Sequence, residues 1–237
     1  MRLESDWEEM YTLIQVFGSG WSKDRTRPDR SGQIRCQAAV TAANAALALG
    51  RRVCILLMPG NEVWDRSGEN QTMAEVYAEY LREYLPRGVA IEVNHSPNVW
   101  GTIAELRLGL LHAVLWVSAQ QIVHCGGRAG IADMSDVDYV LVSDKRHLRR
   151  IELTNNRVIN PRKEPLKRVR YIEKTPFVGR PNYVTVAAAH ESPTWKHEGV
   201  SYGIVVCHIF GWGERIDREV DAWHLQQWMK VQQIVLA

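Results

Sequence analysis

Hydrophobic residues along the first 150 positions follow two alternating patterns: short continuous apolar runs, and longer stretches with an apolar residue every three or four positions. The continuous runs are typical of strands buried on both faces of a sheet, and the periodic stretches are typical of amphipathic helices. Strands are predicted at residues 11–17, 53–58, 89–93 and 137–142, and helices at residues 31–49, 72–85, 101–115 and directly after 144. This order predicts a Rossmann-like three-layer α/β fold, with a parallel sheet, right-handed crossovers and helices on both faces.

The pattern changes after residue 153, where the chain becomes basic and is interrupted by several prolines. Residues 155–180 are therefore expected to be extended. Further on, strands are predicted at residues 183–188 and 203–210 and a terminal helix at 214–231, while loops are predicted earlier at 62–71 and 120–135. We expect an α/β domain over residues 1–153 and a C-terminal extension over residues 154–237 that packs on the same domain.

Composition narrows the class of protein. The chain has 237 residues, of which 46% are hydrophobic and 24% charged, as in ordinary globular proteins. Its net charge of +2 is too small to favour nucleic acid or an anionic membrane as a partner. The acidic N-terminus has no apolar core, no apolar run approaches membrane-spanning length, and four scattered cysteines favour reduced thiols. These features predict a soluble, cytoplasmic protein.

The strongest candidate for a site is the end of the fourth strand. Ser143 and Asp144 suit the N-cap of the next helix, and His147 and Arg150, three positions apart, share one helix face. Open parallel sheets bind ligands at the carboxyl ends of their strands. We therefore expect Ser143 and Arg150 to contact a ligand and His147 to transfer a proton, with Asp144 or Glu75 as its acidic partner. A solvated basic helix face is the alternative interpretation.

The end of the first strand carries Gly18, Ser19 and Gly20, followed by a helix. This arrangement predicts backbone N–H groups that face an anion, assisted by the helix dipole. Its spacing matches neither a dinucleotide-binding fingerprint nor a Walker A loop, and a solvated turn is an equally favoured alternative. Arg35, one turn into the helix, is placed to grip a carboxylate or phosphate with its guanidinium group.

The next two strand ends also carry polar residues. Gly60 and Asn61 end the second strand, and Glu75 lies at the start of the following helix. Glu75 is a candidate acid or base, although the helix dipole alone favours an acidic residue in a first turn. Ser96 and Asn98 follow the third strand, where they are expected either to bind a ligand or to cap the next helix.

The sequence gives little support for a metal site, a serine nucleophile or nucleic-acid binding. No cluster of histidines and cysteines has the spacing of zinc ligands, so no metal is predicted, and no nucleophile elbow is present. Nine tryptophans, several near the C-terminus, are expected to pack the C-terminal section or a homodimer contact, and not to stack on bases.

The order of elements and the strand-end residues resemble the YdcF-like family (domain of unknown function 218). Gly18 and Arg35 correspond to the family's first glycine and arginine, and residues 59–61 and 74–75 stand at its second strand end. The last motif, residues 143–150, keeps the histidine and arginine spacing. The resemblance covers residues 11–153. It implies a Rossmann-like fold with a charged pocket, and one family member has been linked to S-adenosylmethionine.

The chain departs from this family in the turn at residues 96–102, where Val99, Gly101 and Thr102 replace the expected Thr, Glu and Asn. If those residues carry chemistry in the family, this chain has altered or lost it, or acts on another substrate.

The leading hypothesis is a small-molecule enzyme for group transfer or hydrolysis. Its anionic substrate bears a phosphate, nucleotide or carboxylate group and binds at the strand ends; a specialised biosynthetic pathway is a conjectural setting. One alternative is an S-adenosylmethionine-binding protein or methyltransferase, although no acidic residue closes the second strand. Another is a non-catalytic ligand sensor or assembly subunit, which the departures at residues 99–102 favour.

Overall fold

A computed structural model describes residues 10–20, 22, 26–59, 62–64, 70–95, 101–124, 132–155, 157, 177–178, 181–188, 203–212 and 215. The elements, in chain order, are β1 Tyr11–Val16, α1 Arg30–Ala48, β2 Arg52–Leu57, β3 Glu62–Trp64, β4 Asn70–Thr72, α2 Met73–Arg82, β5 Ala90–Val93, α3 Gly101–His124, β6 Ala132–Asp133, β7 Val137–Asp144, α4 Lys145–Thr154, β8 Phe177–Val178 and β9 Asn182–Ala188. Residues 203–209 are also helical.

Five of these strands form one parallel sheet in the order β5-β2-β1-β7-β9. This is the strand order of a Rossmann-type doubly wound sheet, so the predicted fold class is confirmed. Val16 at the end of β1 lies opposite Leu57 of β2 and Val142 of β7, so β1 and β2 end together and β7 continues two residues further, to Asp144. The strand order reverses between β1 and β7, which is where such sheets open a crevice for a ligand.

The two faces of the sheet bury separate apolar clusters, as expected for strands covered on both sides. Successive residues of β1 point to opposite faces, so Leu13 packs with α3 and α4 while Ile14 packs with α1 and α2. The alanines of α1 at positions 39, 43 and 46 allow that helix to lie close to the sheet.

Side-chain caps define where three helices begin. Asp29 accepts the N–H of Gly32 at α1, and Thr72 and Glu75 form a reciprocal capping box at α2. Asp144 caps α4 in the same way through the N–H of His147. The three helices begin within one residue of the predicted positions, and Thr72 and Asp144 are caps that the sequence predicted.

Several predictions of secondary structure are wrong. Part of the predicted loop at residues 62–71 forms the antiparallel pair β3–β4. Helix α3 continues to His124, well past residue 115, because residues 116–124 contain no Gly or Pro that would end it. Residues 203–209 are helical and not a strand: β-branched residues favoured a strand, but the Phe210 N–H bonds the Val206 carbonyl within the segment.

The segment after residue 153 contributes to the main sheet, because β9 pairs with β7 as an edge strand. Of the predicted extended segment at 155–180, the structure describes only residues 155, 157 and 177–178. The predicted terminal helix at 214–231 lies outside the described residues except for Arg215. The domain boundary near residue 153 stays a prediction.

Helix α3 is long and apolar enough over Gly101–Val123 to cross a membrane by length and composition alone. The expectation that no segment approaches this length is therefore wrong. Half of the apolar window is buried inside the fold, as in the core helix of a soluble protein, so the finding is weak support for a membrane span.

A buried polar side chain locks α3 against the centre of the sheet. Gln15 of β1 is fully buried; its Nε2 donates to the Glu105 carbonyl at 2.8 Å, and its Oε1 accepts from the Tyr139 hydroxyl at 2.9 Å. Gly109 makes room for this contact, because a Cβ there would lie 2.6 Å from Gln15 Cδ. The Gln15 bonds therefore set the position of Glu105.

Gly109→Ala should destabilise the protein, because the added methyl group displaces Gln15 from two buried hydrogen bonds. We expect a loss of about 1–3 kcal/mol in the free energy of unfolding, despite the better helix propensity of alanine. Urea unfolding measures it. The double variant Gln15→Ala/Gly109→Ala should cost less than the sum of the two single changes; strict additivity would contradict the proposed contact.

Candidate functional site

The candidate site lies at the carboxyl ends of β1 and β7, between the first turns of α1, α3 and α4. The polar side chains gathered there come from α1, α3, β7 and α4, and the end of β1 contributes backbone groups. The side chains are Arg35, Thr102, Glu105, Ser143, Asp144, His147 and Arg150, beside the backbone of Phe17 and Gly18.

Arg35 ties α1 to both strand ends. Its side chain is almost completely buried, and its Nη1 donates to the carbonyls of Phe17 at 2.8 Å and Gly18 at 2.6 Å. Its Nη2 forms a buried ion pair with Asp144. Its Nε is buried and has no hydrogen-bond partner in the described part of the chain. The guanidinium that the sequence assigned to a ligand is thus largely bound within the protein.

Asp144 uses its two carboxylate oxygens for different purposes. Oδ2 pairs with Arg35, and Oδ1 accepts the backbone N–H of His147 at 2.9 Å to cap α4. Because both oxygens are engaged and the residue is fully buried, Asp144 orients the first turn of α4. It does not contact the imidazole ring of His147 through these bonds.

His147 is held by two hydroxyl groups. Its Nδ1 lies 2.9 Å from Ser143 Oγ, its Nε2 lies 2.9 Å from Thr102 Oγ1, and its ring meets that of Phe17 edge-on. Burial, and then the positive charges of Arg150 and Arg35, lowers the pKa of His147 well below its usual value. The imidazole is therefore neutral at neutral pH, donating one hydrogen bond and accepting the other.

Glu105 is the site residue that the sequence did not single out. It lies one turn into α3, its Oε2 atom is buried without a hydrogen-bond partner among the described residues, and its carboxyl group accepts the N–H of Gly18. Burial raises the pKa of Glu105 to about 7, against the lowering effects of Arg35, the Gly18 N–H and Arg150. It is therefore about half ionised near neutral pH.

Arg150 is the second buried cation of the site, with 8% of its surface exposed. It lies one turn after His147 on α4, and its charge acts on both His147 and Glu105. Among the described residues, the site therefore brings together two guanidinium groups, Arg35 and Arg150, and two carboxyl groups, Asp144 and Glu105.

The loop after β1 is bound to α2 more than it is open to a ligand. The Ser19 N–H donates to the Tyr77 hydroxyl at 3.0 Å, and that hydroxyl donates to the Gly20 carbonyl at 3.2 Å. With the Gly18 N–H bound to Glu105, two of the three N–H groups that the sequence assigned to an anion are engaged within the protein. The Ser19 side chain remains exposed and donates to Asp29 at 2.5 Å.

The remaining predicted site residues lie apart from this cluster or outside the described residues. Glu75 accepts the Thr72 N–H at 2.6 Å and meets the exposed His95 ring at 2.7 Å. Burial pushes the pKa of Glu75 upward, but the bonds from Thr72 and His95 leave it below its ordinary value. The structure does not describe the four residues Gly60, Asn61, Ser96 and Asn98.

Fold and site together define an α/β protein of Rossmann type with a buried, charged cluster at the point where the strand order reverses. Comparison of the chain with protein-family models, curated proteins and solved structures gives no match. In the described part of the chain, no group of three or more His, Cys, Asp or Glu residues is placed to hold a metal ion.

Arg35→Leu should destabilise the fold by about 3–5 kcal/mol, because it leaves the buried Asp144 carboxylate uncompensated. Chemical unfolding measures this loss. The matched control is Arg30→Leu, at an exposed position of the same helix, which should change stability by no more than about 0.5 kcal/mol. Equal effects of the two substitutions would contradict a structural role for the Arg35–Asp144 pair.

Glu105→Gln should change how stability depends on pH. The native state holds a proton on Glu105 between the ordinary glutamate pKa and about pH 7, so this residue lowers stability as pH rises through that window. The difference in free energy of unfolding between Glu105→Gln and wild type should therefore rise by up to about 3 kcal/mol, in favour of the variant, between pH 4.5 and pH 7. Urea unfolding at both pH values measures the gain.

The exposed Glu83→Gln serves as the control for this measurement and should show no such gain. A pH profile for Glu105→Gln that runs parallel to that of wild type would mean that Glu105 titrates normally.

Proposed function

We propose that the protein is a small-molecule enzyme, a divergent relative of the YdcF-like proteins, that binds an anionic substrate at the strand ends between β1 and β7. The substrate carries a phosphate, nucleotide or carboxylate group, and the reaction is group transfer or hydrolysis. Support for the relationship comes from the shared order of strands and helices and from the motif at residues 143–150. The free, buried thiols of Cys36 and Cys54 support action in the cytoplasm.

One observation carries this proposal: three polar atoms of the cluster, Arg35 Nε, Arg150 Nε and Glu105 Oε2, are buried without a hydrogen-bond partner among the described residues. Two of them are guanidinium donors and the third is a carboxyl oxygen on which both guanidinium charges act. Burying a polar atom without a partner is costly, so such a group of atoms favours a ligand as the missing partner. Anions that bind guanidinium groups well are carboxylates and phosphates, which accept its N–H groups in pairs.

The position of the cluster also supports ligand binding. It lies where Rossmann-type sheets bind their ligands, and the loop at residues 18–20 above it is partly or fully exposed. Glu105 contacts this loop directly, since its carboxyl group accepts the Gly18 N–H. Hydroxyl groups of Ser143 and Thr102 hold His147 in place as a neutral hydrogen-bonding group beside them.

A non-catalytic ligand sensor is a second candidate. It is favoured by His147, because both ring nitrogens of the expected proton carrier are already engaged by hydroxyl groups. An enzyme and a sensor differ in whether a bound ligand is converted to product, and a methyltransferase would release demethylated S-adenosylmethionine.

Thermal unfolding with sulfate, phosphate, AMP and S-adenosylmethionine tests the anion site. Bound ligand raises stability by about 2.7 kcal/mol at 100 times its Kd, which gives a clear rise in Tm. We expect at least one phosphate-like anion to raise Tm, and Arg150→Gln to abolish that rise. Arg149→Gln, the adjacent but exposed position on α4, is the control and should retain the rise.

If neither bare anion nor AMP raises Tm, or if both arginine variants lose the rise equally, the anion site at Arg150 is wrong. Incubation of each stabilising ligand with the protein, followed by mass spectrometry, separates turnover from binding alone.

A further inference from the structure

We propose that Glu105 is the proton-exchanging group of this site: beside a bound anion it carries a proton, and it passes that proton to an oxygen of the ligand. This inference rests on the proposed function, since it places an anionic ligand next to Arg150. It assigns to Glu105 the task that the sequence assigned to His147.

The surroundings of the carboxyl group support this role. The Gly18 N–H donates to it, while its buried Oε2 has no hydrogen-bond partner in the part of the chain that the structure describes. A buried oxygen without a partner is costly in the unliganded protein. A protonated Oε2 needs an acceptor, and an oxygen of a ligand held by Arg150 would supply one.

The charges around Glu105 support proton exchange near neutral pH. The charges of Arg35 on α1 and Arg150 on α4 act on it, and the Gly18 N–H after β1 donates to it; all three favour the carboxylate. Burial opposes them, and the pKa of about 7 reflects that balance. A bound anion adds negative charge and moves the balance toward the protonated form, which is the form that a general acid needs.

The other titratable groups of the cluster are committed elsewhere. Asp144 is ion-paired with Arg35 and caps α4. His147 is neutral, and its nitrogens bond Ser143 and Thr102. Glu105 is therefore the group that is free to gain and lose a proton without breaking a bond that holds the fold.

For an ester ligand, the proposed proton transfer forms part of a hydrolysis reaction. As the bond between phosphorus or carbon and the leaving oxygen breaks, that oxygen takes the proton of Glu105, and the Gly18 N–H and both guanidinium groups stabilise the resulting carboxylate. The attacking water forms the new bond, and its displaced proton returns to Glu105. The products are the alcohol and the acid, and the carboxyl group is regenerated.

Titration calorimetry with sulfate at pH 7 tests the proposal, because sulfate does not itself titrate there. Binding heats measured in buffers of different ionisation enthalpy give the number of protons taken up. We expect wild type to take up a fraction of a proton per sulfate, up to about half at pH 7. Glu105→Gln should bind sulfate without proton uptake, and the exposed Glu83→Gln should behave as wild type.

The outcomes separate the two proposals. If wild type does not bind sulfate at all, the anion site itself fails. If sulfate binds with equal proton uptake in wild type and Glu105→Gln, or with no uptake in wild type, the anion site stands and the role of Glu105 fails.

A second measurement needs no variant. In wild-type protein with labelled glutamate, one side-chain carboxyl ¹³C resonance should titrate near pH 7, and at higher pH when sulfate is present. If no glutamate carboxyl resonance titrates near pH 7, the proposal is wrong, and this result holds even where Glu105→Gln does not fold.

Discussion

The buried ion pair between Arg35 and Asp144 is the interaction on which the rest of this edge of the sheet depends. It joins α1 to the end of β7, while the same guanidinium group holds the carbonyls of Phe17 and Gly18 at the end of β1. Because the other oxygen of Asp144 starts α4, one contact sets the position of three elements. The alignment of His147 and Arg150 on α4 follows from it.

Buried polar groups fix the position of α3 on the sheet more specifically than apolar packing can. Gln15 and Tyr139 bond each other across neighbouring strands, and Gln15 also holds the backbone of Glu105. Hydrogen bonds have direction, so they fix the register of α3 on the sheet, whereas the leucines of the same helix would tolerate sliding. The charged cluster therefore lies next to a helix that hydrogen bonds hold to the centre of the sheet.

Much of the fold could be predicted from the sequence, because fully buried strands such as β2 leave continuous apolar runs and caps such as Asp144 mark helix starts. The gathering of Arg35 and Asp144 at strand ends followed from the same pattern. The ion pair between these two residues could not be predicted in this way, because it depends on the order of the strands in the sheet. Glu105 was missed because it lies inside a helix without any local mark, and its burial depends on three other elements. The helix at residues 203–209 was missed because β-branched composition favours a strand when pairing partners are unknown.

The ion pair also has an evolutionary consequence. Arg35 and Asp144 lie 109 positions apart in sequence. Loss of either residue leaves the charge of the other buried in the interior without its partner. Selection should therefore rarely accept a change at one position alone, so lineages descended from this chain are expected to keep both residues or to exchange them together. Correlated substitutions at these two positions in related sequences would reflect the contact between β7 and α1.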